Sequence, residues 1–268
     1  MDVWAVDFAS TQTLVRAVAT ALIVIIVTLS VERLGPMIGG ALVGLPIVIG
    51  PGFFFLLQEH GTDFAVSSAS YALLSLCGTQ AFLLAYVATA YRYSAGAALL
   101  AASVSWIVVA TVLSSAPASP ALGALMFVSA TCAGRLLGRL FRRPVEKRRN
   151  VGGPLLLVGR GILAGILVAA VTAASTRLGP GWAGILIAYP IGFTVVSVTL
   201  HQRLGPDAAI ATLHSAMLGT TSLAVFSGSL AVALPLTGSA SAFLIALLLA
   251  VGATSVVTAV QFRRSRSM

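Results

Sequence analysis

Apolar runs of about twenty residues follow one another along this chain with short polar breaks between them. As a helix, each run is long enough to cross a hydrocarbon core about 30 Å thick. Nine such spans can be drawn, at about 11–32, 36–58, 64–90, 95–115, 119–141, 154–175, 180–201, 207–235 and 239–261. The runs are too long, and the polar breaks too few, for the strands of a barrel. The breaks carry turn residues: Gly35-Pro36, Gly61-Thr62, Ser119-Pro120, Gly179-Pro180 and Gly205-Pro206. The third and eighth spans are long enough to be tilted or bent. The pattern predicts an all-α integral membrane protein with about nine transmembrane helices.

Composition agrees. Of 268 residues, 58% are hydrophobic and 9% charged, where a soluble domain carries about 25% charged residues. Mean hydropathy is +1.02. The net charge of +9 sits in short loops between apolar runs, so it reads as positive-inside bias and not as a nucleic-acid surface. The loop GRLFRRPVEKRRN after the fifth span is the densest basic segment, which makes it cytoplasmic and the N-terminus external. Arg33, Arg92, Arg203 and the C-terminal RRSRS then fall inside, whereas QEHGTD, SSAPASPA and LPLTGSA fall outside and carry no Lys or Arg. Arg177 is the one basic residue of an outside loop. Asp2 and Asp7 precede any basic residue, the wrong charge for a signal peptide. The expected setting is a bacterial inner (plasma) membrane, multi-pass, with the C-terminus cytoplasmic. Cys77 and Cys132 lie inside apolar runs and read as packing residues.

The chain also repeats itself. At an offset of 144, Arg16 matches Arg160, Thr28 matches Thr172, and Arg33-Leu34-Gly35-Pro36 matches Arg177-Leu178-Gly179-Pro180. Gly40 matches Gly184, Pro46-Ile47 matches Pro190-Ile191, Gln58 matches Gln202, Gly61 matches Gly205 and Asp63 matches Asp207. Charged residues, prolines and glutamines do not coincide this way by chance. Spans one to four pair with six to nine, and span five stands alone. The second copy therefore enters the membrane from the opposite side, giving an inverted 4+1+4 repeat. The expected division is a first four-helix repeat (1–115), an unpaired linking helix (116–142), a basic cytoplasmic loop (143–153), a second, inverted repeat (154–262) and a basic tail (263–268). Inverted repeats are the architecture of many secondary transporters, with substrate bound near the midplane between the halves.

In each copy a proline stands about 15 Å into the second span, at Pro46 and Pro190. Proline removes a backbone hydrogen bond and kinks or breaks its helix. Ile47 to Ile49 and Ile191 to Phe193 would then present N–H groups at the midplane, a setting suited to anionic groups. Tyr189 stands at the second break. The alternative is a packed kink whose freed carbonyls are met by neighbouring hydroxyls. Gly40-x-x-x-Gly44 and Gly184-x-x-x-Ala188 read as close helix packing where the repeats cross.

Polar residues within the spans complete the candidate site. Arg16 and Arg160 lie about two turns inside their spans, and either collect an anion from the two sides or snorkel to headgroups. Tyr71 and Ser75 belong to a stripe with Ser67 and Thr79 on span three; Thr212, Ser215, Gly219 and Ser222 share a face of span eight. These line a pathway or hydrogen-bond between helices. His214 either carries a proton, binds substrate or is a satisfied core histidine. Asp63 and Asp207 either cap their helices or gate by pairing with Arg33 or Arg177. No carboxylate sits at a midplane, and no catalytic, nucleotide-binding or metal-ligating motif is found. Neither an enzyme nor a cofactor or metal site is expected.

The stretch GGALVGLPIVIGPGFFFLLQEHGTDFAVSSASYALLSLCGTQAFLLAY in the first copy resembles the small four-span bacterial inner-membrane proteins of the GlpM-like type. The likeness lies in a glycine-leucine run into a mid-span proline, a Gln- and His-containing helix end before a glycine turn, and a polar third span. The second copy is similar more faintly, with Tyr189-Pro190 at its break and Arg203 where the first has Glu59. The resemblance implies a fused, inverted pair linked to exopolysaccharide production, and it carries no catalytic residues. Two functions are expected of such a chain. One is transport or export of a small organic anion or lipid-linked anionic group, with membrane lipids and a second copy of the chain as further partners. The other is a non-transporting subunit that supports envelope polysaccharide or lipid assembly.

Overall fold

The computed structural model describes residues 49–142 and 188–266, together with Val18, Arg33, Gly40, Pro46, Gly181, Ile185 and Leu186. The described residues are helical and include no strand. Eight α-helices follow in order: α1 (Ile49–Glu59), α2 (Thr62–Thr89), α3 (Ala95–Leu113), α4 (Pro120–Gly138), α5 (Ile191–Leu204), α6 (Pro206–Gly219), α7 (Thr221–Thr237) and α8 (Ser239–Arg266). Among the described residues, five segments are long and apolar enough to cross a membrane: α2, α3, α4 with its terminal turn, α6 joined to α7, and most of α8. Helices α2, α3, α4, α6 and α8 start within two residues of the expected spans. Spans one and six lie outside the described residues apart from Val18.

Local chemistry sets these boundaries. Ser94 and Ser119 accept the N–H groups of Ala97 and Leu122 at 3.4 Å, satisfying donors that a helix start leaves unpaired. Pro120 opens α4, where its missing N–H has no consequence. Gly205 and Gly238 turn the chain between helices at φ 92° and 81°, a region closed to side chains with a Cβ.

Burial runs opposite to that of a soluble bundle. Helix α2 is buried over 72% of its spanning window and α8 over 17%, so α2 is central and α8 peripheral. On α3 the buried face is Ala98, Ala102, Trp106 and Ala110, while Leu100, Val104, Ile107 and Val112 point outward. On α8 it is Ala242, Ala246, Ala250 and Thr254, while Leu244, Leu248, Val251 and Val256 point outward. Small residues face in, allowing close approach, and large apolar ones face out.

The offset of 144 reappears in three dimensions. Helices α2 and α6 begin at Thr62 and Pro206, and α3 and α8 at Ala95 and Ser239, each pair 144 residues apart. The buried faces of α3 and α8 are the same positions shifted by that number. Neighbours correspond as well. Helix α2 packs on α3 as α7 packs on α8, and α1 on α2 as α5 on α6. Helix α3 touches α5, and α8 touches α1. Helix α4, without a counterpart, contacts both α2 and the α6–α7 pair.

The long helices α2 and α6–α7 meet antiparallel. Ala65, Ala69 and Ala72, early in α2, share a core with Phe226, Leu230 and Leu234, late in α7. Phe82, Leu83 and Tyr86, late in α2, share another with Ala209, Ile210 and Leu213, early in α6. Near the centre, Gln80 reaches the α6–α7 junction.

Candidate functional site

Two prolines start two half-helices. The Pro46 carbonyl accepts the Gly50 N–H at 2.8 Å, and the Pro190 carbonyl accepts the Thr194 N–H at 3.0 Å, the same bond in both copies. Pro46 lies in a turn just before α1, and Pro190 directly precedes α5; both are buried. In span seven, Ile185 and Leu186 are helical, Ala188 to Pro190 are not, and the helix resumes at Ile191. Span seven is thus broken at its proline; in span two Gly40 is helical, Pro46 lies in a turn and α1 runs from Ile49.

The break at Pro190 frees carbonyls. Tyr189 N–H turns to Leu186 O at 3.1 Å and so leaves Ile185 O without its helical donor. The Ser75 hydroxyl of α2 donates to Ile185 O at 3.2 Å. Tyr189 stands edge-on to Trp106 of α3 with ring centroids 4.7 Å apart. Gly181, on the far side of the break, packs against the Tyr71 ring. Tyr71, Ser75, Tyr189 and Pro190 therefore come together around one broken helix.

On α6 the corresponding surface receives the other copy. A Cβ on Gly40 would run into the Thr212 carbonyl oxygen and lie 2.7 Å from Ser215 Cβ. Span two thus presses its backbone on α6, as span seven presses on α2. The Ser215 hydroxyl donates to Gln261 Oε1 of α8, and Gln261 Nε2 returns a bond to Ser215 O at 3.4 Å. At the α6–α7 junction, Gln80 Nε2 donates to Met217 O at 3.1 Å and to Thr220 Oγ1 at 2.7 Å.

His214 faces α4. Its Nε2 lies 3.1 Å from Arg135 O, a carbonyl that the Arg139 N–H bypasses by turning to Leu137. That contact requires a proton on Nε2, which leaves Nδ1 to accept from Arg135 Nη1 at 3.4 Å. Arg135 Nη1 also donates to His214 O at 2.8 Å. Both ring nitrogens are engaged in joining α4 to α6, the arrangement of a core histidine.

Of the gating candidates, Asp63, Asp207 and Arg33 are among the described residues. Asp63 is exposed in the first turn of α2. Asp207 sits in the first turn of α6, and its Oδ1 is buried without a hydrogen-bond partner among the described residues. Arg33 is exposed and, among the described residues, pairs with neither aspartate. Arg16, Arg160, Ile47 and Arg177 lie outside the described residues.

Sequence reasoning missed Trp106, Arg135, Thr220 and Gln261. Arg135 and Gln261 carried a signal: each is a polar residue within two turns of a basic segment, still inside its span. Trp106 and Thr220 carried none, because an aromatic or a threonine inside an apolar run is ordinary. Trp106 packs at the break, while Arg135, Thr220 and Gln261 tie α4, α2 and α8 to α6 and its junction with α7. Comparison of the chain with models of protein families, with curated proteins and with solved structures gave no match.

Proposed function

We propose that the chain is a membrane transporter built from two inverted repeats, with its substrate site between the broken helices at Pro46 and Pro190. The observation that carries this reading is the exchange of neighbours between the copies. Each proline-broken span lies on the long polar helix of the other repeat: span two on α6 through Gly40, and span seven on α2 through Ser75. Antiparallel packing of α2 against its counterpart α6–α7 supports inversion, because two equivalent helices that run in opposite directions are related by an axis across them. Half-helices that begin deep in the bundle are the usual site builders of such transporters. The substrate class follows from the N-terminal ends of α1 and α5 and from Arg16 and Arg160: a small organic anion or a lipid-linked anionic group.

A second reading draws on the stapled break. Ser75 already satisfies Ile185 O, and Trp106 packs on Tyr189, as expected of a rigid subunit that supports polysaccharide or lipid assembly. The GlpM-like resemblance of the first copy belongs with this reading.

Two measurements test the first. Gln58 and Gln202 are equivalent and both exposed. In a chain with Cys77 and Cys132 replaced, Gln58→Cys and Gln202→Cys should react with an impermeant maleimide from opposite sides of the membrane. Reaction from one side alone removes the inversion. A panel of carboxylates, phosphates and sugar phosphates should then contain a compound that raises the melting temperature and enters proteoliposomes, with uptake lost in Arg16→Ala and Arg160→Ala. Opposite labelling with no active anion favours the second reading.

A further inference from the structure

The C-terminal end of α4 gathers positive charge. Arg135, Arg139 and Arg142 are spaced four and three residues apart, on one side of a helix end. Arg135 is half-buried and held, its Nη1 donating to His214 O at 2.8 Å. Arg139 and Arg142 are exposed, and their charges act on the same His214 ring as that of Arg135. Three guanidinium groups therefore crowd one corner of the bundle, where α4 ends against α6. A helix C-terminus favours a cation, but like charges four residues apart repel. Among the described residues no carboxylate offsets them. No Asp or Glu occurs between Asp63 and Glu146, so α3 and α4 carry none. Asp63 opens α2 and lies at the far end of that helix from Thr89. Asp207 opens α6 and pairs with neither Arg139 nor Arg142.

A second feature of the same helix names the occupant. Leu125, Val128, Leu136 and Leu140 are exposed, and the exposed Cys132 fills the gap in their row. The row runs about 22 Å along α4 and ends beside Arg139. We propose that this end of α4 binds the phosphate of an anionic membrane lipid between Arg139 and Arg142, with Arg135 as a fixed charge behind them and an acyl chain along the row from Leu125 to Leu140. Guanidinium forks match phosphate oxygens in pairs, and basic sites at helix ends hold such headgroups in the cytoplasmic leaflet, where the positive-inside pattern puts this end of α4. A soluble phosphate would use the arginines and leave the row idle. An acidic protein segment would likewise need no apolar track leading into the hydrocarbon. Span five has no counterpart in the repeat, so the site occurs once per chain and does not depend on the transport reading.

The test is native mass spectrometry of the full chain in detergent, titrated with phosphatidylglycerol or with phosphatidylcholine of the same acyl chains. The first phosphatidylglycerol should bind at least about tenfold more tightly than the first phosphatidylcholine. A chain carrying both Arg139→Gln and Arg142→Gln should lose that preference. Arg92→Gln, which removes an exposed arginine just past the end of α2, should keep it. Phosphatidylglycerol with a diazirine in one acyl chain should leave adducts on the segment holding Cys132 and Leu136, and excess glycerol 3-phosphate should not displace it. Equal affinity for the two lipids on the unmodified chain overturns the proposal whatever the variants do. A preference kept in the double variant, or lost equally in Arg92→Gln, overturns it in favour of diffuse charge. Displacement by glycerol 3-phosphate overturns it in favour of a soluble anion.

Discussion

A serine inside a membrane helix is worth little unless its hydroxyl meets a group that has lost its partner. Ser75 and Ser70 stand on the same helix and differ in this respect. Ser75 donates across to Ile185 O, a carbonyl orphaned by the break at Pro190. Ser70 donates to Val66 O in its own helix at 2.9 Å, a carbonyl placed to take a backbone donor as well. Side-chain hydrogen bonds in membranes average roughly 0.6 kcal/mol, while a buried group left unpaired costs about 1–3 kcal/mol. Ser75→Ala should therefore lower unfolding free energy in detergent by about 1 kcal/mol or more, and Ser70→Ala by less than about 0.5 kcal/mol. Equal effects would mean that Ile185 O finds another donor. Two glycines of α4 make a similar contrast. A Cβ on Gly138 would lie 2.7 Å from His214 Cδ2, whereas on Gly134 the nearest atom is Met217 Sδ at 3.5 Å. His214 is held at both nitrogens and cannot swing aside, but Met217 is flexible. Gly138→Ala should destabilise by about 1–3 kcal/mol, and Gly134→Ala should be neutral or better, since alanine favours a helix by up to about 1 kcal/mol. Thermal unfolding of the two variants side by side checks this.

Among the elements, the helices legible in the sequence were those whose borders are set by local chemistry. Ser119-Pro120 announces the start of α4, and Gly205-Pro206 the start of α6. Helix α2 was legible as a polar stripe, but not as the central staple of the bundle. Its Ser75 and Gln80 reach partners more than 100 residues away, and no local pattern encodes which carbonyl a hydroxyl will find. The division of span eight was foreshadowed only by its length; the bend falls at Thr220, between α6 and α7. The glycine pattern of span two reads as close helix packing, and Gly40 presses on the α6 backbone. That contact yields a prediction at the scale of the crossing. A methyl group at Gly40 would meet the Thr212 carbonyl oxygen and Ala216 N, backbone atoms that move only if the helices separate. Gly192, second residue of α5, has nothing within 4 Å of its Cβ position. Gly40→Ala should prevent accumulation of folded protein, and Gly192→Ala should leave it unchanged, as read by size-exclusion profiles after mild extraction.

For the whole molecule the decisive fact is that, among the described residues, the two largest cores each draw on chain from both sides of the basic loop. Phe53, Ala65 and Ala69 of the first are buried with Phe226, Leu230 and Ala246 of the second. Tyr86, Ala98 and Trp106 are buried with Ile185, Phe193 and Leu213. Tyr86 and His201 meet at 3.2 Å across the same boundary, and α4 binds to the second copy through Arg135 and His214. The recurrence at a fixed offset is legible, because arginines, prolines and glutamines coincide there. The exchange of partners between copies is not, since apolar faces of alanine and leucine specify burial without naming the neighbour. It follows that cutting the chain in the basic segment 143–149 should do little harm if both pieces are present. Residues 1–145 and 146–268, produced together, should co-purify through a tag on one of them and unfold as a single unit. Either piece alone leaves an inner face of small residues exposed to lipid and its broken span without a partner helix, so it should be degraded or recovered only as aggregate. A stable, monodisperse 146–268 fragment would mean that the second copy folds by itself and that the contacts between copies are secondary.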